Sequence, residues 1–201
     1  MSIYFIRHGE STGNADHGLY SKIPTHKMEL TEKGRKQAIE AGIKVKNDIF
    51  KLYPNNLSMV KIITSPYIRT MQTTDGIISQ LPWKVERNSD YRIIEQRSGN
   101  YHDADKLDKE REAYHKFYYT YPNGESAYDV LLRCLPFYER LKESPYNIAP
   151  TIIVSHSRTI RILRMLIEKK DAEWFHSQGN FPNATIFKYN GIGYPEEPSI
   201  L

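Results

Sequence analysis

Three short apolar runs, each cut off by a polar turn and each followed by a segment of helical period, constrain this 201-residue chain more than any other feature. They are Ile3-Tyr4-Phe5-Ile6, Val60-Lys61-Ile62-Ile63-Thr64 and Thr151-Ile152-Ile153-Val154-Ser155. Their shortness and β-branched content read as buried strands, the last as a central parallel strand. Behind the first, Thr31 is a helix N-cap, and Ala38, Ala41, Val45, Ile49 and Leu52 recur at helical spacing. Behind the second, Ser65-Pro66 reads as a cap followed by proline at the first helical position, with Met71, Thr74, Ile78 and Leu81 as the buried stripe. Behind the third, Ile160, Leu163 and Ile167 lead to Lys169-Lys170, cations at a helix C-terminus, and Asp171 caps a last short helix. Strand and helix in alternation predict an α/β fold: a three-layer α/β/α sandwich with a mostly parallel central sheet.

Shorter signals fill in the rest. Residues 83–86 and 184–189 read as further strands, 13–28 as a loop over the sheet edge, and 107–119 as a charged helix. Residues 99–124 form a small helical cap inserted in a single domain, 1–201. Ser126 caps a helix with Asp129 three residues on, Cys134 falls on its core face, and Pro136 predicts a kink or break. The tail from Gly191 is expected to be loosely ordered. No apolar run approaches the ~18 residues that span a bilayer, which argues against a membrane protein, and the start lacks a signal-peptide pattern, so a cytoplasmic location is expected. The net charge of +4 suits an anionic ligand, but Lys and Arg are scattered, which argues against nucleic acid.

The chemistry sits where the strands stop. Right-handed crossovers put the three junctions on one edge of the sheet, where α/β proteins bind ligands. Those junctions carry Arg7 with His8, then Arg69, then His156. An isolated Arg-His pair is more often a polar strand cap facing water, but two imidazoles and two guanidiniums around one spot describe an anion site. Arginine's planar fork matches phosphate oxygens, and helix N-termini after Ser65 and Ser157 add oriented N–H groups. A metal centre competes poorly: the arginines repel a divalent cation, and the chain has no H-x-x-x-H pair or Cys/His cluster.

Arg7-His8-Gly9-Glu10-Ser11, followed by Asn14, resembles the signature of the histidine phosphatase superfamily, also called phosphoglycerate mutase-like. Leu30-Thr31-Glu32-Lys33-Gly34, Ser65-Pro66-Tyr67-Ile68-Arg69-Thr70, Glu95 with Gly99, Pro122-Asn123-Gly124-Glu125-Ser126 and Val154-Ser155-His156 match in order. The resemblance implies a phosphohistidine mechanism. His8 is the implied nucleophile, its other ring nitrogen bonded to a backbone carbonyl. Arg7, Arg69 and a protonated His156 hold the phosphoryl oxygens, Asn14 donates a further hydrogen bond, and Glu95 protonates the leaving alkoxide and then activates water. Ser157, Tyr20 and Arg97 are candidate substrate contacts, Arg97 with solvent exposure as its alternative. Arg161 is better placed to support the site than to touch substrate.

Several positions depart from the family pattern. Ser157 stands where glycine is common, Gln96, Arg97 and Ser98 follow Glu95, and Asn100-Tyr101-His102 replaces an aromatic-Glu-Gly continuation. The implied activity is metal-independent, cofactor-free hydrolysis of a phosphomonoester. The alternatives are phosphoglycerate mutase-type transfer, for which the family's longer insertions are missing, and a weakly active phosphate- or protein-binding module. The expected partner is a small phosphorylated substrate, with Lys22, Arg92, Arg97 and Lys106 pointing to a second anionic group on it.

Overall fold

The computed structural model describes residues 1–54, 57–99, 104–143, 149–191 and 197–201. The strands are β1 (Ile3–Arg7), β2 (Met59–Thr64), β3 (Lys84–Ser89), β4 (Thr151–Ser155), β5 (Ile186–Tyr189) and β6 (Ser199–Ile200), in the sheet order β3-β2-β4-β1-β5-β6. Strands β3, β2, β4 and β1 are parallel, and β5 and β6 add antiparallel strands at one side. The register pairs Arg7 with Ser155 and Thr64 with Val154. His8, Ser65 and His156 therefore leave the sheet close together at one edge.

Alternation along the strands separates two cores. Ile3, Phe5, Ile63, Ile153 and Phe187 face α5 (Ala127–Lys142), α6 (Ser157–Ile167) and α7 (Ala172–Ser177). Tyr4, Ile6, Ile62, Ile152 and Val154 pack with Ala41, Val45 and Ile49 of α2 (Glu32–Leu52) and Ile77 of α3 (Ile68–Ile78). Because successive strand side chains point to opposite faces, a fully apolar strand commits the sheet to helices on both sides. The expected three-layer α/β/α arrangement is what forms. Two further helices are α1 (Thr12–Ala15) and α4 (Ala104–Tyr114). No helix among the described residues is long and apolar enough to cross a membrane.

Local expectations hold at the caps of three helices, where Thr31 accepts from Gly34 N, Asp171 from Trp174 N, and Ser126 and Asp129 form a reciprocal capping box. Four expectations change. Helix α3 begins at Ile68 behind Tyr67, and the Ser65 hydroxyl meets His156 Nε2 while accepting from Tyr67 N. Its buried face is Thr70, Thr73, Thr74 and Ile77. Threonine tolerates burial there because each hydroxyl bonds a backbone carbonyl of the preceding turn. Helix α5 runs unbroken through Pro136, which lies on its exposed side with Leu132, the residue whose carbonyl the ring leaves without its usual donor. Residues 13–28 hold α1 and two 3₁₀ turns (His17–Ser21 and Thr25–Lys27), and the tail ends in β6 against β5. Cys134 is buried, and burial pushes its thiol up to about 12, as a core residue requires.

One close approach fixes α2 against the end of β1. A Cβ on Gly9 would stand 2.3 Å from the Gly34 carbonyl oxygen, and one on Gly34 2.0 Å from that of Glu10. Two backbones meet with no room for side chains. Gly34→Ala is expected to lower stability by about 1–3 kcal/mol, although alanine favours a helix, because the clash outweighs propensity. Gly179→Ala, with nothing within 4 Å of its Cβ, is expected to change stability by less than ~0.5 kcal/mol in the same urea titration.

Candidate active site

His8 follows β1 and is 3% exposed. Its Nδ1 lies 2.7 Å from the Gly9 carbonyl oxygen and its Nε2 3.1 Å from Arg69 Nε. A carbonyl only accepts and a guanidinium only donates, so the proton sits on Nδ1 and the lone pair on Nε2. Burial first, then the charges of Arg69 and Arg7, hold the His8 pKa well below its ordinary value. His156 is fully buried beside it, with ring centroids 5.2 Å apart and Nε2 2.8 Å from Ser65 Oγ. Burial and then Arg69 hold it neutral as well, whereas the expectation was a protonated ring. The same cations that would grip a phosphoryl group disfavour a third positive charge among them.

Arg69, in the opening turn of α3, is 3% exposed, lies over the Tyr67 ring at 5.0 Å and donates to Thr25 O. Arg7 is held from the far side by the Phe181 carbonyl and keeps a buried Nε without a protein partner. Asn14 Oδ1 accepts from Ser11 N, Ser11 Oγ and Asn183 Nδ2 at 3.0–3.2 Å, which leaves its NH₂ as the group to donate to a ligand. Arg7, His8, Asn14, Tyr20, Glu95, Arg97 and Ser157 line one cleft of about 700 Å³. Arg69 and His156 are not among its lining residues and lie beneath its floor. Arg97 reaches the cleft but also pairs with Glu125 at 3.3 Å. Of the other cations assigned to a second anion, Lys22 lines the cleft, while Arg92 pairs with Asp90 and lines a separate hollow of about 310 Å³. Lys106 stands 3.9 Å from Glu110 on α4. Asn100, Tyr101 and His102 lie outside the described residues.

Glu95 is placed by residues whose role the sequence did not disclose. Arg133, on α5, donates to the carbonyls of Arg92, Ile94 and Glu95 and to both carboxylate oxygens of Glu125. Glu125 is 5% exposed and also accepts from Arg97 N at 3.0 Å. Gly99, at φ +58°, lets this strap cross the 122–124 turn, where a Cβ would meet the Pro122 oxygen at 1.9 Å. Glu95 Oε1 accepts from Gln96 N at 2.9 Å and lies 3.5 Å from Thr159 Oγ1. Asn180 and Asn183, before β5, are also new to the site. They bond the Ser157 hydroxyl and the His8 carbonyl, and the Asn-Phe-Pro-Asn run of residues 180–183 was the turn signal that pointed there.

Stability should fall in acid because of the two histidines. Their folded-state pKa values lie below the unfolded 6.5, so below that pH the unfolded chain binds protons the folded chain refuses. The loss begins as pH drops through 6.5, at up to about 1.4 kcal/mol per pH unit for each histidine, and ends at the depressed folded values. Urea titrations between pH 7.5 and 5 in buffers without phosphate measure the slope, and His8→Gln should reduce it by up to one proton's worth. Separately, Arg133→Met is expected to cost about 3 kcal/mol, because it strands the buried Glu125 carboxylate, and pairing it with Glu125→Gln should recover part of that loss in a double-mutant cycle.

Comparison with known proteins agrees with this geometry. Residues 3–191 match the model of the histidine phosphatase superfamily, branch 1. Phosphoglycerate mutase-like protein AT74 of Arabidopsis thaliana is 34% identical over 198 residues, covering 92% of this chain and 63% of its own, so this chain spans under two thirds of that relative's length. Broad-range acid phosphatase DET1 of Saccharomyces cerevisiae is 24% identical, covering 92% of this chain and 83% of its own. A mycobacterial glucosyl-3-phosphoglycerate phosphatase, solved with VO₃, superposes with a TM-score of 0.71 at 23% identity, covering 93% of this chain and 91% of its own. With the signature Arg-His-Gly at the end of β1, a buried second histidine at the end of β4 and a family match over nearly its whole length, this chain belongs to the histidine phosphatase superfamily.

Proposed function

We propose that the protein is a metal-independent phosphatase that hydrolyses a phosphomonoester through a phosphohistidine on His8. The observation that carries this reading is the fixed His8 tautomer: Nδ1–H on the Gly9 carbonyl leaves the Nε2 lone pair for attack. Arg69 Nε donates to that lone pair at 3.1 Å and must turn to a phosphoryl oxygen as phosphorus approaches. Nε2 then forms a bond to phosphorus while the ester oxygen leaves with a proton from Glu95. Water next attacks phosphorus, Glu95 takes its proton, and the N–P bond breaks to release phosphate. Glu95 Oε1 is engaged by Gln96 N, so Oε2 is the oxygen for this proton traffic.

Charge stabilisation falls to Arg7, Arg69, Asn14 and His156. His156 is neutral among the cations, and two negative charges on an arriving phosphoryl group supply what favours its imidazolium form. Tyr20, Ser157 and Arg97 line the cleft beyond the reacting group, with Gly99, Asp108 and Asn123, and contact the rest of the substrate.

Release of p-nitrophenol from p-nitrophenyl phosphate tests the reading. His8→Ala should lose on the order of 10⁴-fold in kcat, as removal of a nucleophile does, and Glu95→Gln about 10²- to 10⁴-fold. Turnover that survives His8→Ala would sink the mechanism. Conversion of 3-phosphoglycerate stimulated by 2,3-bisphosphoglycerate would establish transfer in place of hydrolysis, and binding of phosphate esters with no trapped phosphohistidine would establish a binding module.

A further inference from the structure

On the wall of the cleft next to His156, two neutral side chains present a polarity to the ligand space that their neighbours dictate. Ser157 opens α6 and is 6% exposed, Asn180 lies on the segment before β5, and both line the cleft. Arg161, one turn further along α6 and buried, lies over the Phe175 ring at 5.1 Å. It donates to the Gly179 carbonyl and, at 3.2 Å, to the Asn180 carboxamide. A guanidinium has no lone pair to offer, so the carboxamide atom facing it is Oδ1, and the NH₂ of Asn180 turns the other way. Among the described residues, the hydrogen bonds of this carboxamide all fall on Oδ1.

The same oxygen sets the serine. Ser157 Oγ donates to Asn180 Oδ1 at 3.3 Å, which commits the hydroxyl hydrogen and leaves the Oγ lone pairs as what Ser157 offers the cleft. A donor, Asn180 Nδ2, therefore stands beside an acceptor, Ser157 Oγ, on a wall held by a buried cation. An ionised phosphoryl or carboxylate oxygen only accepts, so the Ser157 lone pairs repel it, and an ammonium group only donates, so the Asn180 NH₂ repels it. A hydroxyl group does both and satisfies the pair. A glycine at position 157 would leave the wall without its acceptor. Ser157 directly follows His156, whose ring centroid is 5.2 Å from that of His8, which puts the pair close to the reacting phosphoryl group.

We infer that Ser157 and Asn180 form a subsite for a hydroxyl group of the substrate, which donates to Ser157 Oγ and accepts from Asn180 Nδ2. Arg161 is its positioning residue, because it decides which way the carboxamide faces. The inference deepens the reading given above and rests on it, since it needs a phosphomonoester in the His8 pocket. It makes hydroxyl-bearing phosphate esters the preferred class over alkyl esters of the same length, through neutral hydrogen bonds and not through charge.

Calorimetry on the His8→Ala protein tests the subsite with three esters of one charge and one chain length: n-propyl phosphate, 2-hydroxypropyl phosphate and 3-hydroxypropyl phosphate. At least one hydroxylated ester should bind about tenfold more tightly than n-propyl phosphate, as expected when two hydrogen bonds are made to one group. The ester that shows the advantage gives the position of the hydroxyl. Asn180→Ala removes the donor and Ser157→Gly the acceptor, and each, placed in the His8→Ala background, should cut the ratio to about threefold or less. Equal affinity for the three esters would overturn the subsite. So would variants that weaken all three alike, because the two side chains would then hold the phosphoryl group and not a hydroxyl. Asn180 is exposed, so its replacement by alanine leaves the core untouched, and it carries the test should Ser157→Gly not fold. If none of the three esters binds, the occupancy of the His8 pocket by a phosphomonoester falls and the subsite falls with it. A tenfold ratio in a protein that does not turn over p-nitrophenyl phosphate would overturn the hydrolysis and leave the subsite standing.

Discussion

A guanidinium buried against two neutral imidazoles is the constraint around which this protein is built. Arg69 is 3% exposed and donates to the Nε2 of His8 and to the Thr25 carbonyl. Such a group is tolerated only where every neighbour accepts from it or moves aside for an anion. Neutral histidines satisfy the first condition, and burial together with the arginines keeps them neutral. The parallel register brings the three strand ends level, and the Gly9–Gly34 contact lets α2 close over them. Strand order, glycine placement and histidine protonation thus serve one electrostatic arrangement.

The opposite wall depends on a different interaction. Glu95 lies on a segment with little regular structure, just past the 3₁₀ turn Tyr91–Ile93. Its position comes from Arg133 gripping the backbone carbonyls of Arg92, Ile94 and Glu95 and the buried Glu125. Backbone amide and carbonyl groups that no helix or strand satisfies need such partners when they are buried. The clamp ties the carboxylate to α5, a helix of the central sandwich, so both walls of the cleft are anchored to rigid elements.

Selectivity belongs to yet another layer. The floor carries the phosphoryl chemistry, while the cleft above it is lined from the 3₁₀ turns after α1, from the strap after Glu95, from α4 and from α6. Apart from α4 and the core helix α6, these segments are turns and irregular chain carried on the sandwich.

The layers, the strand junctions and the helix caps at Thr31, Ser126 and Asp171 were legible in the chain because each rests on periodicity or a local hydrogen bond. His8, Arg7, Arg69 and His156 were legible for the same reason, since the end of an apolar run marks where a sheet presents its chemistry. The intact α5 around Pro136 and the pairing of β6 were not, because the first depends on which side of the helix faces away from the core and the second on a partner distant in sequence. The roles of Arg133, Glu125 and Asn180 depend likewise on which charges and carbonyls folding brings together. Local pattern names the residues that reach the sheet edge; their charge state and alignment arise only when burial removes water and sets distant groups side by side.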